Sequence, residues 1–121
     1  MKQKEYLIPL TPVIWKKAAK RRDDFSHLYL ARSHGDALPF KTPVEIEVTF
    51  YMPWVRERGI RKNGTWHAAP PNVDGLLRFL FNCIKQAENV LCDERLVSSL
   101  KIKKVQDAEP RTHMIIRELE T

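Results

Sequence analysis

The sequence predicts an α+β fold in which a small mixed or antiparallel sheet of about four strands packs against two main helices. The patterns of apolar residues give the order strand, helix, strand, helix, strand, strand. The last two strands, Leu96 to Val105 and Thr112 to Leu119, are joined by a six-residue turn, which indicates an antiparallel hairpin. A chain of 121 residues is long enough for one domain with one core, which we predict to span residues 1–121.

The chain is organised around a helix predicted from Asp74 to about Ala87. Its apolar residues recur every three or four positions, as in a helix with one buried face. The residues of this face are Val73, Leu76, Leu77, Leu80, Cys83, Ile84 and Ala87. Two prolines lead into the helix, Asn72 is a good N-cap, and Asp74 lies where the helix dipole favours a negative charge. Gly75 is unexpected, because glycine in a helix costs roughly 1 kcal/mol of propensity.

Shorter patterns give the remaining elements. Glu5 to Pro9 is a candidate strand, and Asp23 to Arg32 has the spacing of a short amphipathic helix. The clearest strand is Pro43 to Tyr51, in which apolar and polar residues alternate. Trp54 to Ala69 then forms a sixteen-residue loop that is rich in arginine and flanked by tryptophans, a length typical of functional or mobile loops.

The charge balance predicts an anionic partner. Lysine and arginine number 21 against 15 acidic residues, a net charge of +6, and nucleic acid is the commonest partner of such a chain. The plainer alternative is an ordinary soluble protein that happens to be basic. Nine cations in two clusters are predicted to bind backbone phosphates, although a solvated helix face and a disordered hairpin tip are the alternatives. They are Lys16, Lys17, Lys20, Arg21, Arg22, Arg56, Arg58, Arg61 and Lys62.

Several classes of protein are disfavoured. No apolar stretch approaches the length of a membrane span, and the N-terminus lacks the pattern of a signal peptide. Cys83 and Cys92 do not make a disulfide framework and are interpreted as reduced thiols of a cytoplasmic protein. The histidines and cysteines have no zinc-site spacing, and no phosphate-binding glycine pattern is present, so we expect no organic cofactor.

Two aspartates are candidates for metal-dependent chemistry. Hydrolysis of a phosphodiester near neutral pH usually needs a divalent metal, and Mg²⁺ needs only two or three carboxylates because it keeps several waters. Asp74 lies at a helix start after a basic loop, and Asp93 lies between this helix and the next strand. Each also has a plainer interpretation, Asp74 as a partner of the helix dipole and Asp93 as a turn residue.

Two stretches around these aspartates resemble the RusA family of Holliday junction resolvases. The first is Pro71-Asn72-Val73-Asp74-Gly75-Leu76-Leu77-Arg78, and the family has P-D-x-D-N-L-x-K at its helix start. The second is Leu91-Cys92-Asp93-Glu94-Arg95-Leu96-Val97, where the family has a D-D-A-Q-V-like turn about twenty residues later. The strand that ends Tyr51-Met52-Pro53 is also similar, and the resemblance covers roughly Pro43 to Leu119.

The resemblance implies a small homodimeric endonuclease that uses Mg²⁺ to cut four-way DNA junctions in recombination and repair, with three essential aspartates. By position, the second and third of these are Asp74 and Asp93. The first falls on Asn72, whose amide oxygen can coordinate a metal without a charge, so metal affinity should fall. The family lysine falls on Arg78, which keeps the positive charge and is suited to holding a phosphate. The resemblance therefore gives Asp74, Asp93 and Asn72 as metal ligands and adds Arg78 to the catalytic set.

Two further positions depart from the family pattern, and two alternative functions remain open. The family asparagine falls on Gly75, and the first acid of the D-D turn falls on Cys92. One alternative is a protein of the same fold that binds branched DNA without cutting it, which Asn72 favours. The other is an unrelated small RNA-binding protein, which only the charge favours.

The length of the predicted helix suggests how the two aspartates meet. A helix from Asp74 to Ala87 is roughly 20 Å long, and Asp93 follows its far end. For both acids to share one ion within a chain, the loop from Glu88 to Glu94 would have to run back along the helix. A two-fold dimer that sets one protomer's Asp93 beside the other's Asp74 meets this need more simply.

Overall fold

A computed structural model describes residues 2–14, 38–54, 63–87 and 90–119. A 3₁₀ turn (Glu94–Leu96) comes just before the third strand. The described elements are the strands β1 (Gln3–Ile8), β2 (Val44–Met52), β3 (Val97–Gln106) and β4 (Arg111–Glu118) and the α-helix α1 (Val73–Ala87). The α+β class and the mixed four-stranded sheet are confirmed. The second predicted helix, Asp23 to Arg32, lies outside the described residues.

The strands lie in the order β1-β4-β2-β3. β4 is antiparallel to both of its neighbours, whereas β3 is parallel to β2. Parallel neighbours need a crossover connection, which here contains α1. In the unit β2-α1-β3 the helix runs antiparallel to both strands, so its start lies beside the end of β3 and its C-terminal end lies beside the starts of β2 and β3.

The predicted hairpin of the last two strands is wrong, because β2 lies between β3 and β4. The parallel pairing brings β3 to an end beside the end of β2, and the chain then turns across that end to the far side of β2. The Asp107 N–H donates to the Met52 carbonyl oxygen at 2.8 Å where the turn crosses. The Arg111 guanidinium holds the turn by donating to the Asp107 carboxylate at 3.0 Å and to the Glu109 carbonyl oxygen at 2.7 Å.

The core lies between α1 and one face of the sheet. The alternation predicted for β2 is confirmed, since Val44, Ile46, Val48 and Phe50 are at most 2% exposed. The helix packs on them through Leu76, Phe79, Leu80, Cys83, Ile84 and Ala87. The predicted helix face differs in three places: Val73 is 40% exposed, Leu77 is only half-buried, and Phe79, which was not predicted, is 1% exposed. Phe79 follows Leu76 by three residues and precedes Cys83 by four, so it belongs to the same stripe.

The opposite face of the sheet is polar. Arg117 donates to the carboxylates of Glu45 at 3.3 Å and Glu47 at 2.7 Å. The Ser99 hydroxyl also donates to Glu45, and this bond lowers the pKa of Glu45, while the Arg117 hydrogen bond lowers the pKa of Glu47. These two acids alternate with the core residues of β2 and are therefore separated from α1 by the sheet.

Candidate functional site

A groove runs along the outer side of α1. Asp74, Arg78, Asn82 and Lys85 follow one another along the helix at intervals of four, four and three residues. A cavity of about 420 Å³ is lined by these four residues together with Leu77, Phe81 and Glu94. Glu94 belongs to the 3₁₀ turn beyond the C-terminal end of α1. The cavity therefore extends from the start of α1 to beyond its far end, with Asp74 and Glu94 at opposite ends.

A second cavity of about 490 Å³ adjoins the first. Lys85 and Glu94 line both cavities, and Asp93 lines the second together with Pro39, Ile84, Leu91 and Cys92. We call the two cavities together the α1 groove. Asp74 borders one of its parts and Asp93 the other, and Glu94 borders both.

Phe40, which precedes β2, holds the chain that follows α1 beside the starts of β2 and β3. The Phe40 N–H donates to the Val90 carbonyl oxygen at 2.9 Å, and the Cys92 N–H donates to the Phe40 carbonyl oxygen at 3.0 Å. Phe40 itself is 1% exposed in the core. The chain after α1 therefore stays beside the far end of the helix and does not run back to Asp74, and the homodimer remains a prediction.

Asp93 is engaged by its neighbour Arg95. It caps the 3₁₀ turn by accepting the Arg95 N–H at 2.8 Å, and its two carboxylate oxygens accept from the Arg95 guanidinium at 2.8 to 3.2 Å. These hydrogen bonds lower the pKa of Asp93 to about 2. Asp93 is therefore fully ionised at neutral pH, but both of its oxygens already have a cationic partner.

Sequence reasoning missed Glu94 as a member of the site. The only signal in the sequence was its place in the acidic pair with Asp93. Two consecutive side chains in a turn point in different directions, and no periodic pattern shows which of them faces the groove. The structure brings Asp74, Arg78 and Glu94 to one cavity. Asn72 is exposed immediately before α1, and its carbonyl oxygen accepts the Leu76 N–H at 3.2 Å in the first turn of the helix.

The predicted phosphate-binding cations lie outside the described residues. They are Lys16, Lys17, Lys20, Arg21, Arg22, Arg56, Arg58, Arg61 and Lys62. The described cations of the α1 groove are Arg78 and Lys85, both exposed on α1.

Gly75 is explained by the segment that follows β1. A Cβ atom added at Gly75 would lie 2.9 Å from the Ile14 Cγ2 atom and 3.7 Å from its Cβ atom. Ile14 is partly buried against the core, so the first turn of α1 is covered at this point. The asparagine that the RusA family has at this position would meet the same methyl group.

A Gly75→Ala chain is expected to lose about 1 kcal/mol of unfolding free energy. Alanine gains about 1 kcal/mol of helix propensity over glycine, but forcing a methyl group into a packed contact costs about 1–3 kcal/mol. Urea denaturation measures the difference. In an Ile14→Ala background the contact is gone, and the same substitution is expected to be stabilising. A stabilising Gly75→Ala in both backgrounds would contradict the contact.

The α1 groove offers few oxygen ligands to Mg²⁺. Among residues 2–14, 38–54, 63–87 and 90–119, no three His, Cys, Asp or Glu side chains lie close enough to hold a metal ion. Mg²⁺ keeps most of its waters and is commonly bound through one or two carboxylates plus substrate phosphate. Asp74 lies at the start of α1, beside the Lys104 end of β3, whereas Glu94 directly precedes the other end of that strand, so the two carboxylates lie at opposite ends of the groove. Within one protomer the described residues therefore do not bring two carboxylates to one ion.

No protein-family model matches this chain, and no curated protein matches it. No helix in the described part of the chain is long and apolar enough to cross a membrane. The function is therefore argued from the α1 groove and from the two motifs that border it.

Proposed function

We propose that this chain is a RusA-like, magnesium-dependent endonuclease that cuts four-way DNA junctions as a homodimer. The observation that supports this most is that Asp74 and Arg78, one helical turn apart, line the same cavity of the α1 groove. A carboxylate suits a hard cation, and a guanidinium beside it suits the phosphate that is to be cut. Asp74 and Arg78 are also the residues on which the second aspartate and the lysine of the family motif fall.

Each residue has a distinct role in this proposal. Bound Mg²⁺ would supply an activated water and would neutralise charge that develops on the phosphate. Asp74 would hold it through its carboxylate, Asn72 would add a neutral amide oxygen, and the homodimer would bring one protomer's Asp93 beside the other's Asp74. Arg78 would orient the phosphodiester by donating to its non-bridging oxygens. Asp93 would become a ligand only by exchanging Arg95 for the cation, and until then it holds the turn that presents Glu94.

The proposed DNA contacts and the dimer follow from the shape of the substrate. A four-way junction has two-fold related strands, and a two-fold dimer presents two grooves to them. The nine cations of the two basic clusters would bind backbone phosphates, so affinity for junctions should fall steeply as salt concentration rises.

A second candidate function is binding of branched DNA without cleavage. Two observations favour it: Asn72 carries no charge where the family has an aspartate, and Asp93 is already paired with Arg95. Both lower the negative charge available to a cation in the α1 groove.

Replacement of Asn72 by aspartate tests the two candidates on synthetic four-way junctions. Asn72→Asp is expected to cut about tenfold faster at subsaturating Mg²⁺, because a third charge beside the cation is worth at least about 1.4 kcal/mol. Asn63→Asp is the matched control, since it adds the same charge on a residue that borders neither cavity of the groove.

The outcomes separate the proposals. Junction binding without cutting by either chain favours the second candidate. Equal affinity for junctions, linear duplex and single-stranded RNA at one salt concentration contradicts both.

A further inference from the structure

Trp66 is presented to solvent from a fixed piece of backbone. Residues 64–67 run along the outer edge of β3, with Trp66 antiparallel to Val105. Backbone hydrogen bonds of 2.8 to 3.1 Å join this segment to β3 on both sides of Trp66. The Trp66 side chain is nevertheless 73% exposed. An indole that remains so exposed contributes little burial to the core, and it is open to a ligand.

Trp66 lies on the face of the sheet opposite α1. Lys104 is paired with Phe50 of the core, so the next residue, Val105, lies on the other face. Trp66 lies there too, because it is the bridge partner of Val105. On its other side Val105 is paired with Tyr51 of β2. An indole and a phenol ring therefore flank Val105 in one row across the sheet.

Two cations border this aromatic row. The Arg111 guanidinium lies 3.7 Å from the centre of the Tyr51 ring and is paired with Asp107 at 3.0 Å. Lys103 comes two residues before Val105, so it lies on the same face as Trp66, and it is exposed. Two residues of a strand span ~7 Å. The Lys103 ammonium is therefore near enough to contact a phosphate that flanks a ligand stacked on Trp66.

The charge around Trp66 favours an anionic ligand. The acids Glu45 and Glu47 of this face lie toward the start of β2, away from Trp66, and both accept from Arg117. The Trp54 indole N–H donates to the Asn63 side chain at 3.3 Å. The sequence that joins these two residues contains four cations and one acid.

We propose that Trp66 is a stacking platform for an unpaired DNA base, with Lys103 beside the phosphate of the same strand. Every base has a flat face that stacks on an aromatic ring, and a cation beside that ring suits the backbone. In a duplex these faces are covered by neighbouring bases, so an exposed indole selects bases that are unstacked. The stacking site is inferred from the residues around Trp66. Its use at the branch point of a four-way junction rests on the proposed function.

The test compares two short fluorescent probes of equal length and charge, both in EDTA. One is an oligothymidylate, and the other is an abasic oligomer with the same phosphates but no bases. Fluorescence anisotropy measures the affinity of the full chain and of Trp66→Ala, Trp66→Phe and Lys103→Gln. Leu38→Ala is the matched control, because Leu38 is 69% exposed and precedes Phe40, which lies beside the starts of β2 and β3.

Trp66→Ala is expected to weaken binding of the oligothymidylate at least about fivefold, the effect of losing one stacked base, and to leave binding of the abasic oligomer unchanged. Trp66→Phe keeps a ring and should stay within about threefold of the parent chain. Lys103→Gln should weaken binding of both probes equally and lower the salt dependence by about one phosphate contact. Leu38→Ala should change neither affinity.

Three results would overturn the proposal. One is parent-like binding of the oligothymidylate by Trp66→Ala. Another is an equal loss on both probes, which would show that Trp66 does not contact a base. The third is tighter binding of an oligouridylate than of the oligothymidylate by the parent chain, which would assign the site to RNA. Circular dichroism confirms that each variant is folded.

Junction cleavage in Mg²⁺ separates this proposal from the nuclease. A chain that binds the oligothymidylate through Trp66 but cuts no junction would overturn the nuclease and support the stacking platform. A chain that cuts junctions, with no effect of Trp66→Ala on oligothymidylate binding, would do the reverse. If the chain cuts, removal of the bases at the branch point should abolish the difference in junction affinity between Trp66→Ala and its parent. A difference that persists would overturn the use of Trp66 at the branch point.

Discussion

An Asp74→Asn chain is expected to cut four-way junctions at least about 100-fold more slowly than its parent while binding them as tightly. Changing a residue that merely supports a metal ligand commonly costs about 10- to 100-fold, so loss of a ligand's charge should cost at least as much. Binding is preserved because the substitution removes a negative charge from a surface that faces phosphates. Single-turnover cleavage measures the rate, and fluorescence anisotropy measures the affinity for junctions, both at one salt concentration. Asp74→Asn is introduced into the wild-type chain and into the Asn72→Asp chain.

Two further variants make this result specific to the α1 groove. Asp93→Asn is expected to behave like Asp74→Asn, because both acids are proposed ligands of the cation. Glu109→Gln should leave the cleavage rate unchanged, since Glu109 is exposed in the turn between β3 and β4. If the Asp74→Asn chain cut junctions at the wild-type rate, the site of cleavage would have to lie elsewhere on the molecule.

Replacing Phe79 by alanine is expected to lower the free energy of unfolding by about 3–5 kcal/mol. Phe79 is 1% exposed in the core between α1 and the sheet, and removing a buried phenyl ring costs its transfer energy and leaves a cavity. Such a loss is a large share of the stability of a domain of this size. Urea denaturation followed by circular dichroism measures the midpoint and the slope.

Phe81→Ala is the matched comparison, two residues further along the helix. Phe81 is half-buried and lines the α1 groove, so its removal is expected to cost only about 1 kcal/mol. Equal losses for the two variants would mean that α1 does not pack on the sheet through the stripe that contains Phe79.

The elements themselves were predictable because their signals are local. β2 and β3 differ from their predicted bounds by one residue at each end, and α1 begins one residue early and ends at Ala87 as expected. Alternation and three- to four-residue spacing are properties of neighbouring residues. The order of strands is not determined by neighbouring residues. A six-residue turn fits a hairpin, but it also fits a connection that crosses the end of β2, where the Asp107 N–H donates to the Met52 carbonyl oxygen.

The residues of the site likewise include some that local patterns predict and others that depend on contacts between distant segments. Asp74 and Arg78 are one helical turn apart, so the motif and the helix period together placed them on one surface. Glu94 was missed because the path of the chain after α1 depends on Phe40, far away in the sequence. The reason for a glycine at position 75 is a contact with Ile14, and such pairings between distant segments leave no trace in a local pattern.

The central position of β4 has a consequence for how the protein is made. Within the sheet β1 pairs only with β4, and Gln3 lies opposite Arg117. During synthesis on the ribosome, β1 therefore waits without its strand partner until almost all of the chain has emerged, while β2, α1 and β3 already have one another. Joining segments so far apart is slow, because the entropy of closing the chain must be lost before the contacts are gained. We expect newly made chains to pass through a stage in which the edges of β1 and β2 are both open, and chaperones that shield strand edges to act at that stage.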